Sequence, residues 1–75
     1  MAELVRYIAR SLVEKPDAVD VREVETADSV FIELRVDADD MGKVIGKQGR
    51  IAKAIRTVVK AASVNSPKPV FVEII

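Results

Sequence analysis

The residues best suited to chemistry lie in one short stretch, Gly46-Lys47-Gln48-Gly49-Arg50. Two glycines three positions apart let the backbone turn tightly, so that another backbone can approach it closely. If a helix follows, we expect its first amides to point outward unpaired and its dipole to favour an anion. Lys47 and Arg50 add full positive charges, and Gln48 can hydrogen-bond a sugar or a phosphate. The stretch predicts a binding site for a sugar–phosphate chain.

Other kinds of glycine loop fit this stretch poorly. A nucleotide-binding P-loop needs four residues between its glycines and a Ser or Thr after its lysine, whereas Gly42 and Gly46 enclose three residues and Gln48 follows Lys47. The dinucleotide fingerprint GxGxxG also fails, because Val44 stands two positions before Gly46. A plain turn between two helices, capped by glycines, remains an alternative.

The basic residues are concentrated in the second half of the chain. The whole chain has 12 Lys or Arg and 12 Asp or Glu, for a formal net charge of zero. Residues 41–72 nevertheless contain no acid, and their basic side chains are Lys43, Lys47, Arg50, Lys53, Arg56, Lys60 and Lys68. An ordinary solvated helix face could be basic too, but it usually mixes both signs to form stabilising pairs. This local basic field predicts a polyanionic partner.

Composition argues against most other functions. The chain lacks both cysteine and histidine, which leaves no disulfide, no thiolate nucleophile, no usual general base and few ligands for zinc. We therefore expect no enzyme, no cofactor, no metal site and no small-molecule substrate. Charged residues interrupt every apolar run, so we expect no contact with a membrane and no signal peptide. A cytoplasmic location is the default expectation.

The apolar pattern predicts six elements that position the loop. A helix is expected over residues 2–14, strands over 18–25 and 30–36, a short helix capped by Asp39 or Asp40 that ends at Gly46, a helix over 50–64 and a strand over 70–75. Apolar residues Ile51, Ile55, Val58 and Ala62 are expected on one face of the long helix. A bulge near residues 22–23 is possible on the first strand.

The order αββααβ predicts an α+β domain spanning residues 1–75. Its three-stranded mixed sheet should carry three helices on one face, with the first two strands antiparallel and the third parallel to one of them. Phe31, Phe71 and Ile75 fall on the opposite phase of their strands. They are expected either to form an exposed apolar patch that serves as a dimer contact or to shield the rim of the sheet.

The run Val44-Ile45-Gly46-Lys47-Gln48-Gly49 resembles the VIGxxG core of KH domains. The element order resembles the bacterial, type II arrangement of that domain, and the chain length together with residues 42–60 resembles the small bacterial KhpA (YlqC) family. The chain departs from the broader pattern at Ala52, where a larger aliphatic residue is expected three positions after Gly49.

The resemblance implies a mechanism for binding single-stranded RNA. The loop Gly46, Lys47, Gln48 and Gly49 would clamp the backbone of about four nucleotides while the bases lie in a shallow aliphatic groove, and Arg50 would add a positive charge beside the clamp. Carried onto this chain, Ile45 and Ile51 would line the groove or belong to the core, and phosphates would be held further along by Lys43, Lys53 and Arg56. Few aromatics are present, so sequence selectivity should be weak.

The resemblance also implies partners and cellular roles. These are a homodimer or a heterodimer with a larger Jag-type KH protein, and RNA chaperoning or post-transcriptional regulation linked to cell elongation and division, and so to cell shape. Two alternatives stay open, namely a KH-like module for protein–protein assembly and a ribosome-associated assembly factor.

Overall fold

The computed structural model describes all residues from Met1 to Ile75. Three helices and three strands follow one another in the order αββααβ. They are α1 (Ala2–Leu12), β1 (Asp20–Glu25), β2 (Val30–Arg35), α2 (Met41–Ile45), α3 (Arg50–Ala62) and β3 (Val70–Ile74). Short 3-10 turns precede β1, α2 and α3. None of the helices has the length and apolar character needed to cross a lipid bilayer.

The sheet has β2 at its centre. β1 pairs with β2 antiparallel and β3 pairs with β2 parallel, as the sequence predicted. The β1–β2 register runs unbroken from Asp20 opposite Arg35 to Glu25 opposite Val30, so the bulge considered near residues 22–23 is absent. The chain is thus an α+β domain with the type II KH element order, with its three helices packed on one face of the sheet.

The core lies between the sheet and the helices. The inward phase of β2 supplies Val30, Ile32 and Leu34, all buried, because the side chains of a strand alternate between its two faces. Val5 and Ala9 of α1 and Val44 of α2 pack against them. The predicted apolar face of α3 is partly wrong, since Val58 and Ala62 are exposed. The buried face of α3 consists of Ala52, Ile55 and Val59.

Asp40 is the one buried charged residue, and its role differs from the predicted helix cap. Asp40 stands at the N-cap position of α2, but its side chain makes no capping hydrogen bond there. The Asp37 carboxylate caps the preceding 3-10 turn, accepting a hydrogen bond from the Asp39 amide at 2.9 Å. The Asp40 carboxylate accepts from the Glu14 amide at 3.2 Å and the Lys15 amide at 3.1 Å. Asp40 therefore joins the chain just after α1 to the start of α2 and helps to hold the helix that leads into the glycine loop.

The outward face of the sheet carries no helix. Val24, Phe31 and Phe71 are direct neighbours across the three strands, and the two phenylalanine rings stack with their centroids 5.6 Å apart. Phe71 and Ile75 are each about half exposed, at 47% and 48%. The predicted exposed apolar patch is therefore present on this open sheet face.

Candidate nucleic-acid interface

The glycine loop joins α2 to α3 in a conformation that its two glycines make accessible. Gly46 ends α2 with φ 77° and ψ 170°, a region of backbone space that is essentially restricted to glycine. Gly49 precedes α3 in the left-handed region at φ 74° and ψ 14°. Gln48 also has a positive φ of 59°, which is uncommon for a residue with a Cβ. The loop is thus a tight turn in which Gln48 is the only non-glycine residue at positive φ, and it presents Lys47 and Gln48 to solvent.

Several main-chain amides of the loop are satisfied within the fold, which corrects the expectation that they point outward unpaired. The Gly46 amide donates to the Gly42 carbonyl at 2.8 Å, and the Gly49 amide donates to the Gly46 carbonyl at 3.1 Å. The Arg50 amide donates to the Lys47 carbonyl. Attraction of the loop for an anion therefore depends more on its side chains and on the dipole of α3 than on these three amides.

The basic side chains of α3 form one continuous face. Arg50, Lys53, Arg56 and Lys60 are spaced three or four residues apart, so they project from the same side of the helix. All four are exposed, as is Lys47 in the loop. None of these five residues forms an ion pair with an acidic side chain. We call these five residues the basic stripe.

Two arginines of the basic stripe are oriented by hydrogen bonds that leave their charge unneutralised. The Arg50 guanidinium donates to the Gln48 side-chain oxygen at 3.1 Å, which places both polar groups on the outer side of the loop. Arg56 donates from Nε to the Val72 carbonyl of β3 at 3.4 Å. The structure thus brings the loop, α3 and β3 into one surface.

Lys43 is placed differently from the other basic residues predicted for the site. Its ammonium nitrogen lies 3.8 Å from a carboxylate oxygen of Asp40 and 3.9 Å from one of Glu14. Asp40 is only three residues before Lys43 in the sequence, whereas Glu14 meets Lys43 only in the folded state. The charge of Lys43 is therefore partly offset.

The two predicted groove isoleucines have different environments. Ile45 is 37% exposed at the end of α2 and is free to contact a ligand. Ile51 is half-buried, packs against the core and lies against Gly46. Ile51 therefore supports the loop as part of the core edge, while Ile45 offers an apolar surface beside it.

An open groove of about 800 Å³ lies between the second half of α3 and β3. Arg56 and Lys60 form one wall, and the segment from Ser66 to Val72 forms the other. The resemblance did not place Lys60, Lys68 or the β3 segment among the predicted binding residues. The four-residue spacing from Arg56 to Lys60 could have indicated Lys60, whereas the approach of the segment after α3 depends on tertiary packing.

The chain is similar to known proteins over its whole length. A sequence profile described as "KhpA/KhpB, KH domain" matches residues 2–74. Proteins named "RNA-binding protein KhpA" are similar over the full length of both chains, with 64% identity in Clostridium perfringens and 61% in Caldanaerobacter subterraneus. The protein of that name from Aquifex aeolicus is 47% identical over the whole of this chain and 95% of its own length. These relatives are named as binding proteins, in agreement with the expectation that the chain is not an enzyme.

Two solved structures of Era have a similar fold. One is an Aquifex aeolicus Era variant bound to GDP·AlF4, with a TM-score of 0.70 and 25% identity over 97% of this chain. The other is Era in complex with MgGDPNP and nucleotides 1506–1542 of 16S ribosomal RNA, with a TM-score of 0.69 and 24% identity over 99% of this chain. The chain corresponds to 28% and 30% of those proteins. The profile match and the full-length relatives show that the chain belongs to the KhpA/KhpB family of KH-domain proteins.

Proposed function

We propose that this chain is an RNA-binding protein that holds single-stranded RNA across the glycine loop and along α3. The observation that carries the proposal is the basic stripe, whose five cations lie on one surface with no acidic partner. An exposed helix face normally mixes charges of both signs, so a uniform face suits a polyanion. The name of the curated relatives, RNA-binding protein, supports the same partner.

The proposed contacts divide between the loop and the groove. Gly46, Lys47, Gln48 and Gly49 would clamp the sugar–phosphate backbone, with Arg50 held beside it by Gln48. Lys53, Arg56 and Lys60 would hold phosphates further along α3. The bases would lie toward Ile45, the edge of Ile51 and the groove beside β3. Lys43 should contribute less, because Asp40 and Glu14 offset its charge.

The proposed binding is weakly selective for sequence and sensitive to salt. Contacts to phosphates position a strand without reading its bases. The affinity should therefore be that of electrostatically driven binding, with a Kd of about 10⁻⁴–10⁻⁶ M. Four phosphate contacts would give a log–log salt slope of roughly −3, at about −0.7 per contact for a single strand.

Fluorescence anisotropy with a short single-stranded RNA at two salt concentrations tests this function. We expect binding at low salt that weakens at high salt with the slope above. A protein–protein assembly module, the alternative from another functional class, should bind no RNA at either salt concentration. The absence of binding at low salt would therefore reject the proposed function in favour of that module.

The cellular role forms a further part of the proposal. We treat residues 1–75 as a single KH domain in the cytoplasm, acting in post-transcriptional regulation or as an RNA chaperone, with links to cell elongation, division and shape.

Its protein partner would be a second copy or a larger Jag-type KH protein. The open sheet face, with Phe71 and Ile75 half exposed, supports such a contact. Sedimentation of the wild-type protein and of Phe71→Glu would show whether this face is used. Co-sedimentation with ribosomal particles would test association with the ribosome.

A further inference from the structure

The end of the groove farthest from the glycine loop contains a basic residue whose side chain is already hydrogen-bonded within the fold. Lys68 lies in the segment between α3 and β3 and lines the groove. Its ammonium group donates to a Glu25 carboxylate oxygen at 2.6 Å and to the Thr26 carbonyl at 2.8 Å. Both acceptors belong to the β1–β2 hairpin. The β1–β2 hairpin therefore holds Lys68 at one end of the groove.

The contrast with Lys60 shows what this pairing changes. Lys60 lines the same groove, is exposed and has no acidic partner. The side chain of Lys68 is only 30% exposed and its charge is neutralised by Glu25. Lys68 therefore adds little positive charge to the basic field formed by the other six Lys and Arg residues of 41–72.

The Lys68–Glu25 ion pair is separate from the hydrogen bonds that hold the backbone between α3 and β3 in place. The Val30 amide donates to the Pro69 carbonyl at 2.9 Å, which extends the β2–β3 pairing to the residue next to Lys68. The Ser66 hydroxyl donates to the Lys68 carbonyl at 2.8 Å. Removing the Glu25 charge should therefore leave the Lys68 ammonium group held by neutral acceptors alone, such as the Thr26 carbonyl, while the backbone of the groove wall stays in place.

We infer that Glu25 withholds Lys68 from bound RNA and thereby sets the far boundary of the binding groove. The inference rests on the proposed function, because it concerns how many phosphates the groove engages. Without the Glu25 charge, the flexible four-carbon stem of Lys68 can move toward the groove and meet one more phosphate. Each added contact makes the salt slope more negative by about 0.7, which strengthens binding roughly fivefold for each tenfold reduction in salt.

The test compares Glu25→Gln with the matched control Glu23→Gln. Glu23 is an exposed acid on the same strand that forms no ion pair, so both variants lose the same charge. Binding of 4-nucleotide and 10-nucleotide oligouridylates is measured by anisotropy between 0.05 and 0.5 M salt, values chosen to span about one decade. We expect Glu25→Gln to make the log–log salt slope steeper by about 0.7 for the longer RNA and to change it little for the shorter one. Glu23→Gln should change the slope little for either RNA.

Lys68→Gln completes the test. In the wild-type background it should leave affinity nearly unchanged, whereas Lys60→Gln should weaken it. In the Glu25→Gln background it should remove the gain. The inference is overturned if Glu25→Gln and Glu23→Gln have the same salt slope. It is also overturned if Lys68→Gln alone weakens binding as much as Lys60→Gln, because RNA would then already contact Lys68 in the wild-type protein. Failure of the wild-type protein to bind either RNA would instead reject the proposed function.

Discussion

A Cβ added to Gly46 would lie 2.6 Å from Cγ1 of Ile51, so the first glycine of the loop rests directly against the first turn of α3. A Cβ added to Gly49 would meet no atom within 4 Å, although φ is positive there as well. The two glycines of the loop therefore serve different purposes. Gly46 is needed for close packing and for its backbone angles, whereas Gly49 is needed for its backbone angles alone.

Gly46→Ala should therefore destabilise the protein more than Gly49→Ala. A sparsely populated backbone conformation at positive φ costs a residue with a Cβ about 1–3 kcal/mol, and crowding in a packed region adds about 1–3 kcal/mol. Only Gly46→Ala incurs both penalties. Urea denaturation followed by circular dichroism measures the difference. Equal free energies of unfolding for the two variants would contradict the packing role of Gly46.

Neutralising single cations should separate the basic stripe from Lys43. Lys53→Gln and Lys60→Gln should each make the salt slope of RNA binding less steep by about 0.7, because each removes one phosphate contact. Lys43→Gln should change the slope less, since Lys43 lies near Asp40 and Glu14. Salt titrations of the three variants with one RNA provide the comparison. A larger effect for Lys43→Gln would place the bound strand on α2 rather than on α3.

Asp40→Ala should destabilise the fold strongly. The change removes a buried carboxylate and leaves the amides of Glu14 and Lys15 without their acceptor, and hydrogen bonds to charged groups contribute about 1.5–3 kcal/mol each. We expect a loss of about 3 kcal/mol or more in the free energy of unfolding, measured by urea denaturation. Asp39→Ala is the control, because its side chain is 81% exposed and its ion pair with Lys15 lies at the surface. A comparable loss for both variants would refute the bridging role of Asp40.

The surface cluster of Asp37, Asp39 and Lys15 should make stability depend on pH at both extremes. The hydrogen bond from the Asp39 amide, aided by Lys15, holds the pKa of Asp37 below its ordinary value of 3.8. A lowered pKa means that the folded state binds this proton less readily than the unfolded state. The contribution of Asp37 is therefore present above about pH 4 and is lost as the pH falls through its folded pKa.

Lys15 should make the stability of the fold depend on pH in alkaline solution. Hydrogen bonding to Asp39, together with the charge of Asp37, raises the pKa of Lys15 above its ordinary value of 10.5. Its contribution is complete below that value and is lost as the pH rises through its folded pKa. Thermal melts should therefore show a smaller acid-induced fall in Tm for Asp37→Asn and a smaller alkaline fall for Lys15→Gln. Unchanged pH profiles in both variants would rule out this cluster as the source.

The sequence predicted the fold well because alternation and helical periodicity express local rules. The strict alternation from Val30 to Val36 fixed the register of β2, since a slip of one residue would expose its aliphatic side chains. The buried face of α3 was predicted less well. Ala52 and Val59 are buried in place of Val58 and Ala62. Both stripes have helical spacing and include Ile55, so the sequence periodicity alone does not decide which of them faces the sheet.

The site was predicted in outline but not in its pairings. The glycine loop and the cations of α3 are contiguous in sequence, so their spacing was enough to indicate a common surface. The ion pairs of Lys43 with Glu14 and of Lys68 with Glu25 join residues from opposite halves of the chain. Such long-range pairs depend on the tertiary fold, as does the approach of β3 to Arg56.

The central claim is tested most directly by RNA binding of the double variant Lys47→Asp with Gln48→Asp. A matched control, Arg10→Glu with Ser11→Glu, makes the same change of three charge units on α1, where both residues line a separate shallow hollow. We expect the loop variant to lose RNA binding and to keep its circular-dichroism spectrum and Tm, while the control binds nearly as well as the wild-type protein. Undiminished binding by the loop variant would contradict the account.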